Sequence, residues 1–147
     1  MLTTQPNSPG IGLAKLIGLT NLHKEKLFNH YLAPIGVSSA QFKVLVAIHY
    51  YEMSSPVDIS KYLNIDAGSM TRMVDRLVKK SFIEKQPNPE DKRGVLLNLS
   101  ATGESLLEQC IVTIEGHVAP QLLGDLSTQE VEQLSALLMR LLPTTEV

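Results

Sequence analysis

Cysteine is nearly absent: Cys110 stands alone among 147 residues. One thiol allows no intrachain disulfide and no cysteine-built zinc cluster. Long apolar runs are also missing. No stretch reaches the ~18 consecutive apolar residues that a membrane-crossing helix needs, so no membrane partner is expected. The opening MLTTQPNSPGIGLAKLIGL lacks a basic start followed by a long apolar run, so it does not read as a signal peptide. These absences fit a reducing, cytoplasmic setting.

Catalytic signatures are missing as well. There is no glycine-rich phosphate loop, no nucleophile elbow and no carboxylate pair. His23, His30, His49 and His117 fall on different expected elements, apart from the seven-residue pair His23/His30. No spacing among them matches a metal site. No cofactor, no metal and no enzymatic activity are therefore expected. Cys110 belongs to the apolar set of its helix and reads as a buried, inert thiol rather than a sensor.

What is present is an ordinary globular balance, 44% hydrophobic and 19% charged, in a chain long enough for one domain and a real core. The net charge of −2 argues weakly against a polyanionic partner, but its distribution points the other way. Over residues 72–93 seven cations meet four acids, a local +3; over 94–147 Arg140 meets seven acids, a local −6; residues 1–71 carry +1. One short basic region beside an acidic tail marks a localised anion-binding face.

Residues 1–10, rich in Pro, Asn, Ser and Gly, read as a loose arm. Apolar residues from Ile11 to Leu32 predict a long first helix, stopped by Pro34 and Gly36. Ser38 or Ser39 caps a second helix with Phe42, Leu45, Val46 and Ile48 on its buried side. Ser55 caps a third over 56–63, with Pro56 at the first helical position. After the turn Asn64-Ile65-Asp66, Asp66 caps a fourth helix over 67–80. Its dry side is Met70, Met73, Val74 and Leu77, spaced i, i+3, i+4, i+7. Its wet side carries Gly68, Arg72, Asp75 and Lys79, flanked by Ser69, Thr71 and Arg76. Gly68 is costly in a first turn by up to ~1 kcal/mol against alanine, yet it admits close approach of another backbone.

Residues 82–86 and 95–99 predict a two-stranded ribbon, Val95, Leu97 and Leu99 alternating onto one face. The tip between them, PNPEDKRG, is stiffened by Pro87 and Pro89 and charged by Glu90, Asp91, Lys92 and Arg93. A short helix, a turn, a polar-faced helix and a hairpin form the order of a winged helix-turn-helix. Ser100 or Thr102 caps a fifth helix through Leu106, Leu107, Cys110, Ile111, Ile114 and Val118, with Pro120 near its end. Ser127 and Glu130 form a capping box for a last helix through Leu141 and Leu142, closed by Pro143. The first, fifth and last helices carry more apolar surface than a winged unit can cover, which implies a second copy of the chain.

The segments SAQFKVLVAI, DAGSMTRMVDRLVKKSFIEKQPNPEDKRGVLLNLSATG and LSTQEVEQLSALLMRLLP together resemble the MarR family of transcriptional regulators. The resemblance runs from about Ile11 to Pro143 and is strongest over 39–99. The wing signature Asp-x-Arg stands as Asp91-Lys92-Arg93, and the usual Leu-Thr ending as Leu99-Ser100, a mild departure that keeps a capping hydroxyl.

The resemblance implies a mainly α fold: a winged helix-turn-helix over 37–99 with a small β-hairpin wing, and N- and C-terminal dimerisation helices over 11–36 and 100–147. It implies an obligate homodimer with interlaced terminal helices, a pseudo-palindromic operator in double-stranded DNA, and repression. Gly68, Ser69, Thr71, Arg72 and Arg76 are then the recognition-helix candidates for the major groove. Asp91, Lys92 and Arg93 are the wing candidates for the minor groove, and Ser55 and Lys79 weaker phosphate contacts. Arg93 suits a narrow, electronegative groove. Asp91 would be repelled by phosphate, so its expected task is to hold Arg93 through a charge-assisted hydrogen bond. Arg76 lies nearer the core boundary, with Asp66 or Asp75 as possible partners.

Many members of the family release DNA on binding small aromatic or phenolic acids. Here His30, Tyr31, Phe42 and His49 are the candidate lining, with Arg72, Arg76 or a protonated histidine for the carboxylate. Other members sense oxidants through a cysteine in the first-helix region, unlike Cys110. Two rival readings are a winged-helix module that binds protein, against which the basic 72–93 region argues, and a small enzyme with a dimer-interface pocket.

Overall fold

A computed structural model describes residues 8–144. The expected arm lies outside the described residues over 1–7. Its last two residues are helical, because Ser8 takes an extended N-cap conformation and Pro9 sits at the first helical position, where its missing N–H costs nothing.

The order is α1 (Pro9–Leu32), a 3-10 turn (Ala33–Ile35), α2 (Ser39–Tyr50), α3 (Pro56–Leu63), α4 (Ala67–Lys79), β1 (Ile83–Pro87) and β2 (Val95–Leu99). Then follow α5 (Ala101–Thr113), a π-turn (Ile114–Val118), α6 (Ala119–Leu123) and α7 (Thr128–Met139). The fold is mainly helical with one antiparallel hairpin, as expected of a winged helix.

Side-chain caps set most helix starts. Ser38 and Gln41 form a capping box on α2, and Ser127 and Glu130 form one on α7. Ser55, Asp66 and Ser100 each accept an N–H three residues on. Of the two alternatives offered for α2 and α5, Ser38 and Ser100 are the caps; Ser39 is the first residue inside α2. The expected single fifth helix is interrupted. Pro120 has no N–H to give and its ring crowds the carbonyl four residues back, at Gly116. The turn before it widens, and the Ala119 N–H reaches back to the Ile114 carbonyl. α7 closes at Met139, short of Leu141 and Leu142.

The core lies inside the winged lobe and under α5. Leu32, Val44, Leu45, Ile59, Leu77, Ile83, Leu97, Leu107 and Cys110 are fully buried or nearly so. On α2 the buried stripe is Gln41, Val44, Leu45 and Ile48; the expected Phe42 and Val46 are only half-buried, since the capping box turns Gln41 inward. Along β2 only Leu97 of the expected face is buried; Leu99 is half-buried and Val95 exposed, because the strand leaves the core toward the tip. The register pairs Ile83 with Leu99 and Pro87 with Val95. The Leu97 N–H also donates to the Ser54 carbonyl at 2.8 Å, so the chain before α3 lies along the outer edge of the hairpin.

α5 meets the hairpin at Gly103. A Cβ placed there would lie 1.9 Å from the Phe82 carbonyl oxygen, so only glycine permits the approach. Along most of α1 and all of α7, burial stops. α1 buries only Leu32 and α7 buries nothing, leaving Leu13, Leu16, Ile17, Leu134, Leu138 and Leu141 exposed. No single helix among the described residues is long and apolar enough to cross a membrane.

Candidate nucleic-acid interface

α4 is set by its first turn. Asp66 Oδ1 accepts the Ser69 N–H at 2.8 Å, and Arg72 Nη2 donates to Ser69 Oγ at 3.1 Å. Hydrogen bonds from the Ser69 hydroxyl and N–H, with the nearby Arg72 charge, hold the Asp66 carboxyl below its usual range. The Arg72 guanidinium is thereby placed over the N-terminal half of the helix. Gly68 lies beneath it: a Cβ there would stand 3.4 Å from both Arg72 Nη1 and Asp66 Oδ1. Thr71 is exposed, but its hydroxyl donates to the Ala67 carbonyl at 2.9 Å, so it has only lone pairs left to offer.

Arg76 is exposed and forms no ion pair among the described residues. The partner suggested for it, Asp75, instead takes Lys85 of β1 at 2.7 Å; the other, Asp66, is occupied by its cap. Asp75 points toward the hairpin rather than along the helix, and Lys85 reaches it across that gap. The pair straps the wing to α4 although both side chains are partly in solvent. Lys79 is exposed. Ser55 is half-buried, with its Oγ capping α3.

The wing tip is a pair of side-chain turns. Asn88 Oδ1 accepts the Glu90 N–H at 3.0 Å and Asp91 Oδ1 accepts the Arg93 N–H at 3.0 Å. The Asn88 N–H donates to the Gly94 carbonyl at 3.2 Å and the Gly94 N–H to the Asp91 carbonyl at 3.0 Å, closing the loop. Asp91 thus holds Arg93 through its backbone N–H, with the carboxylate as the charged acceptor. The two residues are too close in sequence for a relaxed side-chain fork, while the amide two positions on is the natural partner of an Asx side chain. Lys92 and Arg93 remain exposed, with no ion pair among the described residues.

Asn88 and Lys85 were not singled out from the sequence. Asn88 carried a legible signal, an Asx residue before Pro-Glu in a turn. Lys85 carried none, since its partner is ten residues away on another element.

Between α3, α4 and the wing lies an open cavity of about 320 Å³, with Pro56, Thr71, Val74, Lys85, Arg93 and Val95 in its wall. His30, Tyr31, Phe42 and His49 pack against different neighbours among the described residues. Phe42 packs edge-on against Phe28 with ring centres 5.8 Å apart. Tyr31 stacks on His117 at 5.3 Å and meets the side-chain amide of Gln121, with His30 against its edge. His49 is exposed at the end of α2 beside Tyr50. Phe42 and His49 share a face of α2, but about two turns of helix separate them, so they meet different neighbours.

Comparison with known proteins agrees with this geometry. The MarR family model matches residues 37–95. The multiple antibiotic resistance protein MarR of Escherichia coli (strain K12) is 42% identical over 133 residues, 90% of this chain and 92% of that one. The crystal structure of the apo form of E. coli MarR superposes with a TM-score of 0.81 at 42% identity, covering 89% of this chain and 97% of that one. A cysteine-to-serine mutant of E. coli MarR complexed with operator DNA gives 0.80 at 40% identity, covering 95% of this chain and 100% of that one.

Proposed function

Because the chain belongs to the MarR family of transcriptional regulators, we propose that it is a homodimeric repressor of a pseudo-palindromic operator, released by a small aromatic acid. The observation that carries the DNA reading is one continuous surface. It joins the exposed side of α4 with Arg72 and Arg76 to a wing tip with Lys92 and Arg93, and none of these four cations forms an ion pair among the described residues. Cations left unpaired on an α4–wing frame suit a phosphate backbone, with Arg72 reaching base edges in the major groove and Arg93 the minor groove. Gly68, Ser69 and Thr71 line the side of α4 that would face the groove. Lys79 and Ser55 flank it as phosphate contacts.

The dimer reading is supported by the apolar sides of α1 and α7, which the described residues leave exposed. In this division residues 37–99 contact DNA, and 11–36 with 100–147 join the two copies. The effector reading moves to the cavity under the wing. Its volume suits a single aromatic ring, Val74 and Val95 supply apolar wall, Arg93 supplies a cation for a carboxylate, and Lys85 becomes a second when it exchanges Asp75 for the ligand. A ligand there separates wing from α4, so it binds the DNA-incompetent arrangement better.

Titration of a labelled duplex at several salt concentrations tests the reading. Affinity should fall steeply with salt and favour operator over scrambled sequence. A protein-binding winged module would show neither. Salicylate-like acids at millimolar concentration should lower affinity beyond the effect of equal ionic strength, and Lys85→Met should remove that response.

A further inference from the structure

The winged lobe meets α1 at a polar contact that neither core packing nor the DNA surface explains. Ser39, the first residue of α2, is 1% exposed. Its hydroxyl donates to Glu25 Oε2 at 2.7 Å, and its N–H donates to Asn29 Oδ1 at 2.9 Å. Lys43, one turn further, donates to Glu25 Oε1 at 2.6 Å, and Lys24 Nζ stands 3.1 Å from the same oxygen. Both carboxylate oxygens are engaged. They sit at the N-terminus of α2, where unsatisfied N–H groups and the helix dipole favour negative charge. Burial pushes the Glu25 pKa up, but hydrogen bonds from Lys43, Ser39 and Lys24 outweigh it and hold the group at about 2.

The backbone between these helices is a tight corner. The 3-10 turn ends on Gly36 at φ 86°, a left-handed conformation, and the Gly36 carbonyl accepts Lys80 Nζ at 2.8 Å. Lys80 is the C-cap of α4. One corner therefore gathers α1, the start of α2 and the end of α4.

We infer that Glu25, with Asn29, Ser39 and Lys43, is the joint that fixes the angle of the winged lobe on α1, and through it the half-site spacing the dimer accepts. Glu25 is a positioning residue: its partners are Ser39, Lys43 and Lys24, none of them on α4 or the wing. The inference rests on the proposed dimeric DNA binding. The two half-sites lie ~34–36 Å apart, or a multiple of that, so a small angular error at the joint is magnified at the wing tips. Loosening the joint therefore relaxes spacing discrimination before it weakens contacts within one half-site.

Spin labels on Lys15→Cys in α1 and Lys92→Cys at the wing tip, with labelled chain diluted in unlabelled protein, read the angle without DNA. The parent should give a narrow distance distribution. Glu25→Gln and Lys43→Met should broaden it, and Lys43→Arg should restore it. A duplex selected by the parent from a random-sequence pool, then altered by one or two base pairs between half-sites, reads the consequence. The preference for the selected spacing should fall about three- to tenfold in Glu25→Gln, in the lower part of the range seen for coupled contacts. An unchanged distance distribution overturns the joint. A broadened distribution with unchanged spacing preference overturns its role in spacing. Failure of the parent to select any duplex overturns the DNA-binding function instead.

Discussion

The winged lobe and the terminal helices handle their apolar residues in opposite ways. Inside the lobe each amphipathic face closes on another: α4 turns Met70, Val74 and Leu77 onto Ile59, Ile83 and Leu97. In α1 and α7 the apolar residues are as dense, yet Leu16 is 62% exposed and Leu137 56%. The first region completes itself; the second leaves an apolar side open. The lobe can therefore present charge outward, whereas the terminal helices keep the surface that the proposed dimer would cover. A dimeric repressor as proposed would need both behaviours, and the chain separates them by region.

The sharpest way to break that comparison is to make the terminal helices self-sufficient in water. Leu134→Glu with Leu138→Glu should abolish association, since each buried leucine contributes ~1.5–3 kcal/mol and a buried unpaired charge adds a penalty. Sedimentation should fall from near twice 16.2 kDa to the single-chain mass. The wild-type chain sedimenting as a folded monomer at micromolar concentration would sink the comparison itself.

Next in size is the seam between the regions. Gly103→Ala drives a methyl into the Phe82 carbonyl, at 1.9 Å before relaxation. Backbone rather than a flexible side chain must yield, so the loss should reach ~3 kcal/mol or more in urea unfolding. A change under ~1 kcal/mol would mean α5 slides freely against the hairpin.

Within the lobe the effects concern binding more than stability. Arg93→Ala should cost ~1–3 kcal/mol of duplex affinity with an unchanged melting temperature. Asp91→Ala also weakens binding although it removes a negative charge, because the Asx turn that presents Arg93 is lost. Tighter binding by Asp91→Ala, measured by anisotropy, would mean the acid acts only through its charge.

How far the molecule was legible in its sequence follows the same divide. Caps were legible because one side chain serves one amide at a fixed spacing, as at Ser55, Asp66, Ser100 and Ser127. The wet and dry sides of α4 were legible because helical period decides them locally. The Asp75–Lys85 strap was not, since it depends on where the hairpin folds back. Nor was the edge contact of Ser54 with Leu97, made by a segment with no strand signal of its own. Where His30, Tyr31, Phe42 and His49 pack was not legible either: Phe42 and His49 share a face of α2 but lie about two turns apart along it, and each meets a different neighbour.

At ordinary pH the smallest expected effects are the two titrations, which show only at the acid and alkaline extremes, and they separate the regions again. The Glu25 pKa falls from 4.5 to about 2 in the folded chain, so its contribution to stability is complete above pH 4.5 and is lost as pH falls toward 2. Cys110 goes the other way: burial pushes its thiol from 9.0 to about 11, so its contribution is complete below pH 9 and is lost as pH rises toward 11. Acid should therefore loosen the α1–α2 joint, and alkali the packing of α5. Unfolding free energy measured across pH should lose its acid-side slope in Glu25→Gln and part of its alkaline-side slope in Cys110→Ala, each variant leaving the other limb unchanged. Between the two limbs the thiol stays neutral and covered, so a thiol reagent at pH 8 should leave duplex binding untouched. Rapid modification of Cys110 in the native protein, with loss of binding, would show that α5 opens often enough for a buried thiol to act as a sensor.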